Sequence, residues 1–261
     1  MTVPSVPEPA AAAPAAVFPA AAGLLARVRE ERPMVHCLTN PAALTLSANV
    51  LLAVGAEPSL SADPETVRDF VAGTSALVVN LGMLDPAREA AILAATEAAP
   101  ELGRPWLLDP VKVELSPSRR KFARRLLARR PALVRGNAAE IACFAEGGDP
   151  RTLACAAGTV VARTGPSDLV TDGARTAEIA NGSPLMAAVT AVGCAASALA
   201  GAFLAIEPDS WTAAVAALLV MGVAGELAAA RARGPGSFAV ELLDALYRLD
   251  ERDLLERGRV R

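Results

Sequence analysis

The stretch Ala132–Ile141, ALVRGNAAEI, contains the unit from which the fold follows. An apolar run, Ala132–Val134, is followed at once by the polar turn Arg135-Gly-Asn137 and then by a segment with helical character. Short apolar runs bounded by turn residues are typical of buried strands. The stretch therefore predicts a strand that leads through a polar turn into a helix beginning near residue 138.

The same unit recurs in both directions along the chain. The predicted strands are Met34–Leu38, Ala76–Val79, Trp106–Leu108, Ala132–Val134, Val160–Ala162 and Leu169–Val170. The predicted helices lie near residues 42–54, 63–73, 86–99, 118–130, 138–146, 188–205, 210–232 and 237–248. This β-α-β-α order predicts an α/β fold with a central, mostly parallel sheet flanked by helices on both faces.

Composition places this sheet in a folded protein. The chain has 261 residues, of which 53% are hydrophobic and 20% charged, with a mean hydropathy of +0.37, and such values exclude wholesale disorder. A net charge of −3 and 3% aromatic residues argue against nucleic-acid binding. We expect one domain over residues 23–250, between a flexible Ala/Pro-rich tail at 1–22 and a charged C-terminal tail at 251–261.

Cysteine spacing and hydropathy bear on the compartment. The four cysteines lack the CxxC spacing of a zinc site and the density of a disulfide framework, so we predict a reducing, cytoplasmic location. Residues 179–206 contain no charged side chain and are long enough to cross a membrane. Because this segment is rich in small residues and contains Asn181 and Pro184, a buried helix beside a polar loop is favoured, with a membrane span as the alternative.

Polar residues follow four of the predicted strands. They are Asn80-Leu-Gly82, Asp109-Pro110, Arg135-Gly-Asn137 and Thr164-Gly165. Parallel strands end at a common edge, and ligands of open α/β sheets bind beyond it, so these residues predict one binding site. Each of them alone is also explained as a helix cap or a turn.

Arg135 and Glu140 are the most specific residues of this set. A guanidinium at the end of a buried strand needs an anionic partner, which a phosphate or carboxylate ligand would supply. Asn137 and Glu140 lie three residues apart at a helix start, where they form either a capping box or a site for a metal-bound water. The sequence leaves both readings of Glu140 open.

A second candidate site precedes a helix rich in small residues. The loop Thr190–Cys194 places unpaired amides at the start of that helix, where they favour an anion, and we expect the helix to lower the pKa of the Cys194 thiol. The alternative is that Cys194 is a small buried hydrophobe. The single histidine, His36, argues against a serine-type relay or a His-rich metal site, and neither GxxxxGK[ST] nor GxGxxG occurs.

Taken together, these segments resemble the hydroxyethylthiazole kinases of the ribokinase-like superfamily. The matching strings recur in the family's order over residues 33 to 248: Val35–Asn40, Ala48–Pro58, Leu77–Gly82, Leu108–Val111, Arg135–Ile141, Asn181–Met186, Gly193-Cys194, Gly225–Ala229 and Gly234–Phe238. The resemblance implies a ribokinase-like fold and transfer of the ATP γ-phosphoryl group to 4-methyl-5-(2-hydroxyethyl)thiazole. It also implies Mg²⁺ and a homotrimer with sites between subunits, and no nucleic-acid or membrane partner.

The resemblance also assigns roles to individual residues. The implied nucleotide contacts are Arg135, Thr164, Asp109 and Gly193. The implied Mg²⁺ positions are Glu140 and Asp109, and the implied catalytic residues are Arg135 and Cys194, the latter standing where relatives in the superfamily carry an aspartate base. The implied substrate contacts are Asn40, Leu60, Ala191 and Cys194.

Three departures from the family pattern fall in or near this site. Lys112 and Glu114 replace the glycines of Asp-Pro-Val-Gly-x-Gly, Ala191 replaces the first glycine of Thr-Gly-x-Gly-Cys, and Leu60 replaces a methionine. If the lost glycine at 191 has a positive φ, alanine there costs on the order of 1 kcal/mol. The departures leave two alternatives to a thiazole kinase: a catalytically impaired, ligand-binding regulatory or accessory homologue, and a kinase of a different hydroxyalkyl heterocycle.

Overall fold

The computed structural model describes residues 14–261 and contains one eight-stranded sheet. The strands are β1 Met34–Leu38, β2 Glu57–Ser59, β3 Ala76–Asn80, β4 Trp106–Asp109, β5 Leu133–Asn137, β6 Val160–Thr164, β7 Asp168–Thr171 and β8 Thr176–Ile179. Their order across the sheet is β2-β1-β3-β4-β5-β6-β7-β8. The pairs from β2 to β6 are parallel, whereas β6–β7 and β7–β8 are antiparallel.

Helices connect the strands and cover the sheet. They are α1 Pro14–Glu31, α2 Leu44–Ala53, α3 Val67–Gly73, α4 Pro86–Glu101, α5 Pro117–Leu127, α6 Ala138–Ala142, α7 Pro150–Ala157, α8 Val192–Ile206, α9 Ser210–Arg231, α10 Pro235–Arg248 and α11 Glu251–Arg257. Short 3₁₀ turns lie at Val113–Leu115, Glu146–Gly148 and Pro184–Ala188.

Two apolar cores lie on opposite faces of the sheet. Successive side chains of a strand point to opposite faces, so Val78 packs with α1, α2, α8, α9 and α10, whereas Leu77 and Val79 pack with α3, α4 and α5. A parallel sheet covered on both faces is apolar throughout, and all five residues of β3 are buried. The predicted α/β architecture is therefore confirmed.

The apolar segment at 179–206 does not form one long helix. It contains the end of β8, a polar loop, the turn Pro184–Ala188 and α8, which is buried along most of its length. Within the described residues, one helix is long and apolar enough to cross a membrane. That helix is α9, and 78% of its most apolar window is buried inside the protein.

Parts of both segments that the sequence predicts to be tails form helices in the structure. Residues 14–22 belong to α1, where Ala21 and Leu25 are buried, because an alanine-rich segment forms helix readily and α9 offers it an apolar surface. The rest of that predicted tail, residues 1–13, lies outside the described residues. At the other end, α11 buries Leu254 and Val260 pairs with Ile179, so two apolar side chains among charged ones anchor residues 251–261.

Candidate active site

The polar residues after the parallel strands meet at one edge of the sheet. Asn80 is the register partner of Asp109, and Asn137 is the register partner of Thr164. Because β3, β4, β5 and β6 are adjacent and parallel, their carboxyl ends lie side by side. The convergence predicted from the sequence is thus present in the structure.

A buried hydrogen-bond network surrounds Asp109 at this edge. Asn80 Nδ2 donates to Asp109 Oδ2 at 2.9 Å, and Ser197 Oγ donates to the same oxygen at 2.8 Å. Asn40 Nδ2 extends the network by donating to Asn80 Oδ1 at 3.1 Å. Among the described residues no hydrogen bond is made to Asp109 Oδ1, which leaves that oxygen for a ligand.

Burial raises the pKa of the Asp109 carboxyl group. The side chain lies almost entirely inside the protein, and this desolvation raises the pKa of Asp109 to about 6, although the positive charge of Arg135 partly opposes the shift. The carboxyl group consequently changes charge close to neutral pH. A cation bound at Oδ1 would favour the ionised form.

Cys194 lies in the same network, with Sγ 3.3 Å from Asn80 Nδ2 and 3.5 Å from Asn40 Nδ2. Its pKa is raised, first by burial and then by the negative charge of Asp109. The expectation that the start of α8 lowers this pKa is therefore wrong, because desolvation and a nearby carboxylate outweigh the helix. The thiol is neutral at physiological pH.

Arg135 occupies the position where an anion is expected. Its Nη1 donates to Gly193 O at 2.9 Å and to Ser197 Oγ at 3.3 Å, while its Nε is buried without a hydrogen-bond partner. No carboxylate among the described residues forms an ion pair with it. A guanidinium that lines a cavity and forms no ion pair with a carboxylate of the described residues is a ready partner for a phosphate.

A cavity of about 620 Å³ opens beside Arg135, within the size range of small-molecule and cofactor sites. Its lining includes Arg135, Thr164 and Gly193. Met186, Leu218 and Met221 line it elsewhere and supply apolar surface. The remaining predicted site residues are not among its lining residues: Asn40, Leu60, Asp109, Glu140, Ala191 and Cys194.

The start of α8 supplies backbone donors next to the cavity. The first amide with a partner in the preceding turn is Ala195 N, which donates to Ala191 O at 2.9 Å, so the amides of residues 192–194 lack intrahelical partners. Ala191 is the N-cap, with φ 67°. The family's glycine is therefore replaced at a position that favours glycine.

The loop after β4, which also departs from the family pattern, likewise contains a residue with a positive φ. Lys112 has φ 58°, again in the left-handed region, and its side chain is exposed. Its ammonium lies 3.9 Å from Glu114 Oε1, and neither residue lines the cavity. The two charges that replace glycines therefore leave the cavity open.

Glu140 forms the predicted capping box. Its backbone N–H donates to Asn137 Oδ1 at 3.0 Å, and its Oε2 accepts from Asn137 N at 2.8 Å. Oε1 accepts from Lys112 N at 2.8 Å, which ties the loop after β4 to α6. Glu140 therefore caps α6, as one of the two alternatives from the sequence predicted. Each of its carboxylate oxygens retains a lone pair that can accept from a water.

The carboxylates fit Mg²⁺, the ion that the resemblance implies. Protein Mg²⁺ sites of phosphoryl-transfer enzymes use one or two carboxylates together with phosphates and waters rather than a full protein cage. Asp109 and Glu140 are close enough for Glu140 to raise the pKa of Asp109. In the part of the chain that the structure describes, no cluster of three or more His, Cys, Asp or Glu residues forms a fuller metal site.

Comparison with known proteins settles the family. The model of the hydroxyethylthiazole kinase family matches residues 25–149 and 148–252. The chain belongs to the hydroxyethylthiazole kinase family. A hydroxyethylthiazole kinase of Granulibacter bethesdensis is 46% identical over 253 residues, covering 90% of this chain and 92% of its own length.

Solved structures agree with this assignment. The structure of a hydroxyethylthiazole kinase protein from Pyrococcus horikoshii superposes with a TM-score of 0.90 at 38% identity, covering 92% of this chain and 98% of its own. A ribokinase-like superfamily protein of Enterococcus faecalis, 13% identical, has a TM-score of 0.65 over 84% of this chain and 87% of its own. The second likeness shows the ribokinase-like fold alone.

Two residues implied by the family resemblance lie towards the other end of the sheet. Asn40 is buried after β1 and joins the network of Asn80 and Cys194. Leu60 follows β2, is half-buried and packs against the apolar core. Next to it, Ser59 Oγ lies 2.8 Å from His36 Nδ1, and burial lowers the pKa of His36 to about 4, which fits a structural histidine.

Three residues at the site were missed by the sequence reasoning. Ser197 lies three residues after Cys194 on α8, and this helical spacing is the signal that could have identified it. Arg88 on α4 donates to the carbonyls of Leu38, Asn80, Gly82 and Met83, and so joins the ends of β1 and β3. Asp168 lines the cavity on an antiparallel strand, which a search of parallel strand ends does not include.

Proposed function

We propose that the chain transfers the γ-phosphoryl group of ATP to the hydroxyl of 4-methyl-5-(2-hydroxyethyl)thiazole. One observation carries the proposal: Arg135, a buried guanidinium that forms no direct ion pair with a carboxylate among the described residues, lines a cavity of about 620 Å³. Curated relatives of 43–46% identity are named hydroxyethylthiazole kinase or probable hydroxyethylthiazole kinase, which supplies the substrate class.

The triphosphate binds between β5 and the start of α8. Arg135 neutralises phosphate oxygens, and the amide of Gly193, together with its neighbours at the helix start, donates to them. The Thr164 hydroxyl lines the same cavity and donates to Gly136 O over a long distance of 3.4 Å, a bond that it would exchange for one to a phosphate oxygen. The nucleoside occupies the apolar part of the cavity.

Asp109 and Glu140 would hold Mg²⁺, Asp109 through its free Oδ1 and Glu140 through a water. When bound, the ion neutralises charge on the phosphate oxygens. Asn80 and Ser197 fix the orientation of Asp109, because both donate to Oδ2.

The alcohol binds on the β1 side of the same edge. Asn40 and Cys194 present polar atoms beside Asp109, and Leu60 supplies apolar contact for the heterocycle. Ala191 contributes by holding the loop that leads to Cys194. Phosphoryl transfer depends on positioning and charge neutralisation more than on covalent chemistry, so a neutral Cys194 is compatible with turnover.

Assembly and compartment complete the proposal: a homotrimer in the cytoplasm. The homotrimer is what the family resemblance implies, and the large apolar side chains of Leu52, Met83 and Leu115 are exposed in the single chain. All four cysteines are free thiols, which suits a reducing compartment. Light scattering of the pure protein tests the assembly, since a mass of one 26.7 kDa chain would contradict it.

The function is tested by incubating the purified protein with ATP, Mg²⁺ and the thiazole alcohol and measuring the phosphate ester. We expect ester formation by the wild type. Arg135→Met should weaken nucleotide binding about tenfold or more, the usual loss for a charged hydrogen bond, with a smaller effect on the alcohol. Arg163→Met is the matched control, since it removes a neighbouring charge from β6 that does not line the cavity.

Two results would contradict the proposal. The first is the absence of ester at high protein concentration while nucleotide or thiazole binding persists. That result would favour a catalytically impaired homologue that binds ligands as a regulatory or accessory protein. The second is an equal loss of affinity for both ligands in Arg135→Met, which would remove the phosphate role of Arg135. The open cavity and the mutual pairing of Lys112 and Glu114 support the kinase.

A further inference from the structure

Residues 259–261 pair with β8, the last strand in the order across the sheet. Arg261 N donates to Glu178 O at 3.0 Å, and Glu178 N donates to Arg261 O at 2.6 Å. Ala180 N donates to Arg259 O at 2.9 Å, and Val260 is the antiparallel bridge partner of Ile179. Residues 259–261 therefore pair with β8 and with the loop that follows it.

This pairing reaches the wall of the cavity through Asn181. Arg259 N donates to Asn181 Oδ1 at 2.7 Å, and Asn181 Nδ2 donates to Arg257 O at 2.8 Å. Asn181 is buried and, with Gly182, lines the cavity beside Arg135. The cavity wall is thus attached to a segment outside the cavity.

Glu226 of α9 joins the segment and the wall from the other side. Its Oε1 accepts from Asn181 Nδ2 at 3.1 Å and from Gly182 N at 2.9 Å. Both of its oxygens accept from Arg259, with Nη1 lying 3.2 Å from Oε2. Arg259 Nη2 also donates to Ala180 O at 2.8 Å. One carboxylate and one guanidinium therefore bind the same loop together.

Close packing leaves this loop little room to move. A Cβ atom on Gly222 would lie 2.7 Å from Asn181 Cβ and 2.8 Å from Asn181 O, so α9 contacts the loop directly. Glu226 is 18% exposed and Arg259 is 53% exposed, which places the ion pair at the rim of the protein rather than in its core. An ion pair at such a rim contributes modestly to overall stability but can still fix a loop.

We propose that Arg259 and Glu226 are positioning residues for the nucleotide: their ion pair holds the Asn181-Gly182 wall in the conformation that binds ATP. The inference rests on the proposed function only in taking the cavity as the nucleotide site. A wall that is ordered before binding spares the ligand the entropy of ordering it. Loss of the pair should weaken ATP binding and leave the alcohol, on the β1 side of the edge, unaffected.

The test compares Arg259→Met and Glu226→Gln with Arg261→Met as a matched control. Arg261 lies in the same segment and pairs with Glu178 at 3.3 Å, but neither residue lines the cavity. The measurements are KM for ATP, KM for the thiazole alcohol, kcat, and the Kd of a nonhydrolysable ATP analogue by calorimetry. Thermal unfolding of each variant confirms that it is folded.

We expect both test variants to raise KM for ATP and the analogue's Kd by about fivefold, the effect of freeing one or two side chains and their loop. KM for the alcohol should change less than about twofold, and Arg261→Met should resemble the wild type. Arg259→Lys, which keeps a cation but not the fork of two donors, should lie between the wild type and Arg259→Met.

Three results would overturn the inference. They are an unchanged analogue Kd in Arg259→Met and Glu226→Gln, an equal loss in Arg261→Met, or equal losses for ATP and the alcohol. If the wild type binds the analogue but forms no ester, the proposed function fails while the Kd comparison still decides the positioning role. If the wild type binds no nucleotide, both proposals are wrong.

Discussion

The Ser197 hydroxyl separates two opposite charges at the centre of the site. It donates to Asp109 Oδ2 at 2.8 Å and accepts from Arg135 Nη1 at 3.3 Å. No direct ion pair joins Asp109 and Arg135 among the described residues. A direct pair would neutralise both groups, whereas the bridging hydroxyl leaves the carboxylate for a cation and the guanidinium for a phosphate.

The raised pKa of Asp109 predicts a pH-dependent contribution to stability. The folded protein binds a proton at this carboxyl up to about pH 6, above the ordinary value of 3.8, so ionisation of Asp109 destabilises the fold. Its stabilising contribution is present below the unfolded pKa and is lost as the pH rises through about 6.

Asp109→Asn should remove this dependence. The free energy of unfolding of the variant, minus that of the wild type, should increase by about 2.4 kcal/mol between pH 4 and pH 7.5 in metal-free and nucleotide-free buffer, since one pKa unit equals about 1.4 kcal/mol. Denaturant unfolding at a series of pH values measures it. A difference that is constant with pH would show that Asp109 titrates normally.

Cys194→Ser tests whether a thiolate takes part in the reaction. Burial and the charge of Asp109 raise the pKa of the thiol, so we expect a neutral side chain in the working enzyme. Serine can accept the same bonds from Asn40 and Asn80 and should retain kcat within about tenfold, because general base assistance is worth about a hundredfold or more. Steady-state kinetics provide the measurement, and loss of all activity would point instead to a reactive thiolate.

At the scale of elements, the start of α8 places unpaired amides next to a residue with a strained backbone. Its N-cap, Ala191, has φ 67°, which costs a residue with a Cβ atom roughly 1–2 kcal/mol relative to glycine. The strain lies one residue before the amides that face the proposed triphosphate. Relief of the strain at residue 191 should therefore affect both the free energy of unfolding and the rate of turnover.

Ala191→Gly should raise the melting temperature and increase kcat/KM for ATP. The gain in stability should be at most about 1 kcal/mol, because the flexibility of glycine in the unfolded chain offsets part of the relief. Arg130→Gly is the matched control: Arg130 has φ 53° and is exposed after α5. It should gain stability with unchanged kinetics, and a fall in stability for Ala191→Gly would refute the account of strain.

The predicted elements succeed where a strand is short, apolar and followed by polar residues. β1, β3, β4, β5, β6 and β7 were all located in this way, because burial on both faces leaves a continuous apolar run. The strands β2, Glu57–Ser59, and β8, Thr176–Ile179, were missed, since each is a terminal strand of the eight-stranded order and carries polar residues. The helix α7 was missed because its eight residues are too short for a clear period.

At the scale of the whole molecule, the order of the strands divides the site. Arg135 and Thr164 follow β5 and β6, whereas Asn40 and Leu60 follow β1 and β2 at the other side of the sheet. Asp109 and Cys194 lie between these groups, joined to Asn80 and Asn40 by hydrogen bonds. This arrangement suits a nucleotide on one side, an alcohol on the other and the reaction in the middle.

Sequence reasoning recovers the parts of the site that follow strands in order. Asn80, Asp109, Arg135 and Thr164 are predictable because parallel topology brings strand ends together. Glu226 and Arg259 are not, since their contact with Asn181 joins residues 45 and 78 positions apart and has no local pattern. The position of Lys112 outside the cavity also required the structure, because only the structure shows that its side chain is exposed and does not line the cavity.

The central claim is that one sheet edge holds a triphosphate against Arg135 and the start of α8, beside an alcohol. The most direct measurement is a crystal structure with Mg²⁺, a nonhydrolysable ATP analogue and the thiazole alcohol. We predict phosphate oxygens within hydrogen-bond distance of the Arg135 guanidinium and the Gly193 amide, with the alcohol beside Asn40 and Cys194. A nucleotide bound elsewhere, or a triphosphate that leaves Arg135 without contact, would contradict the account.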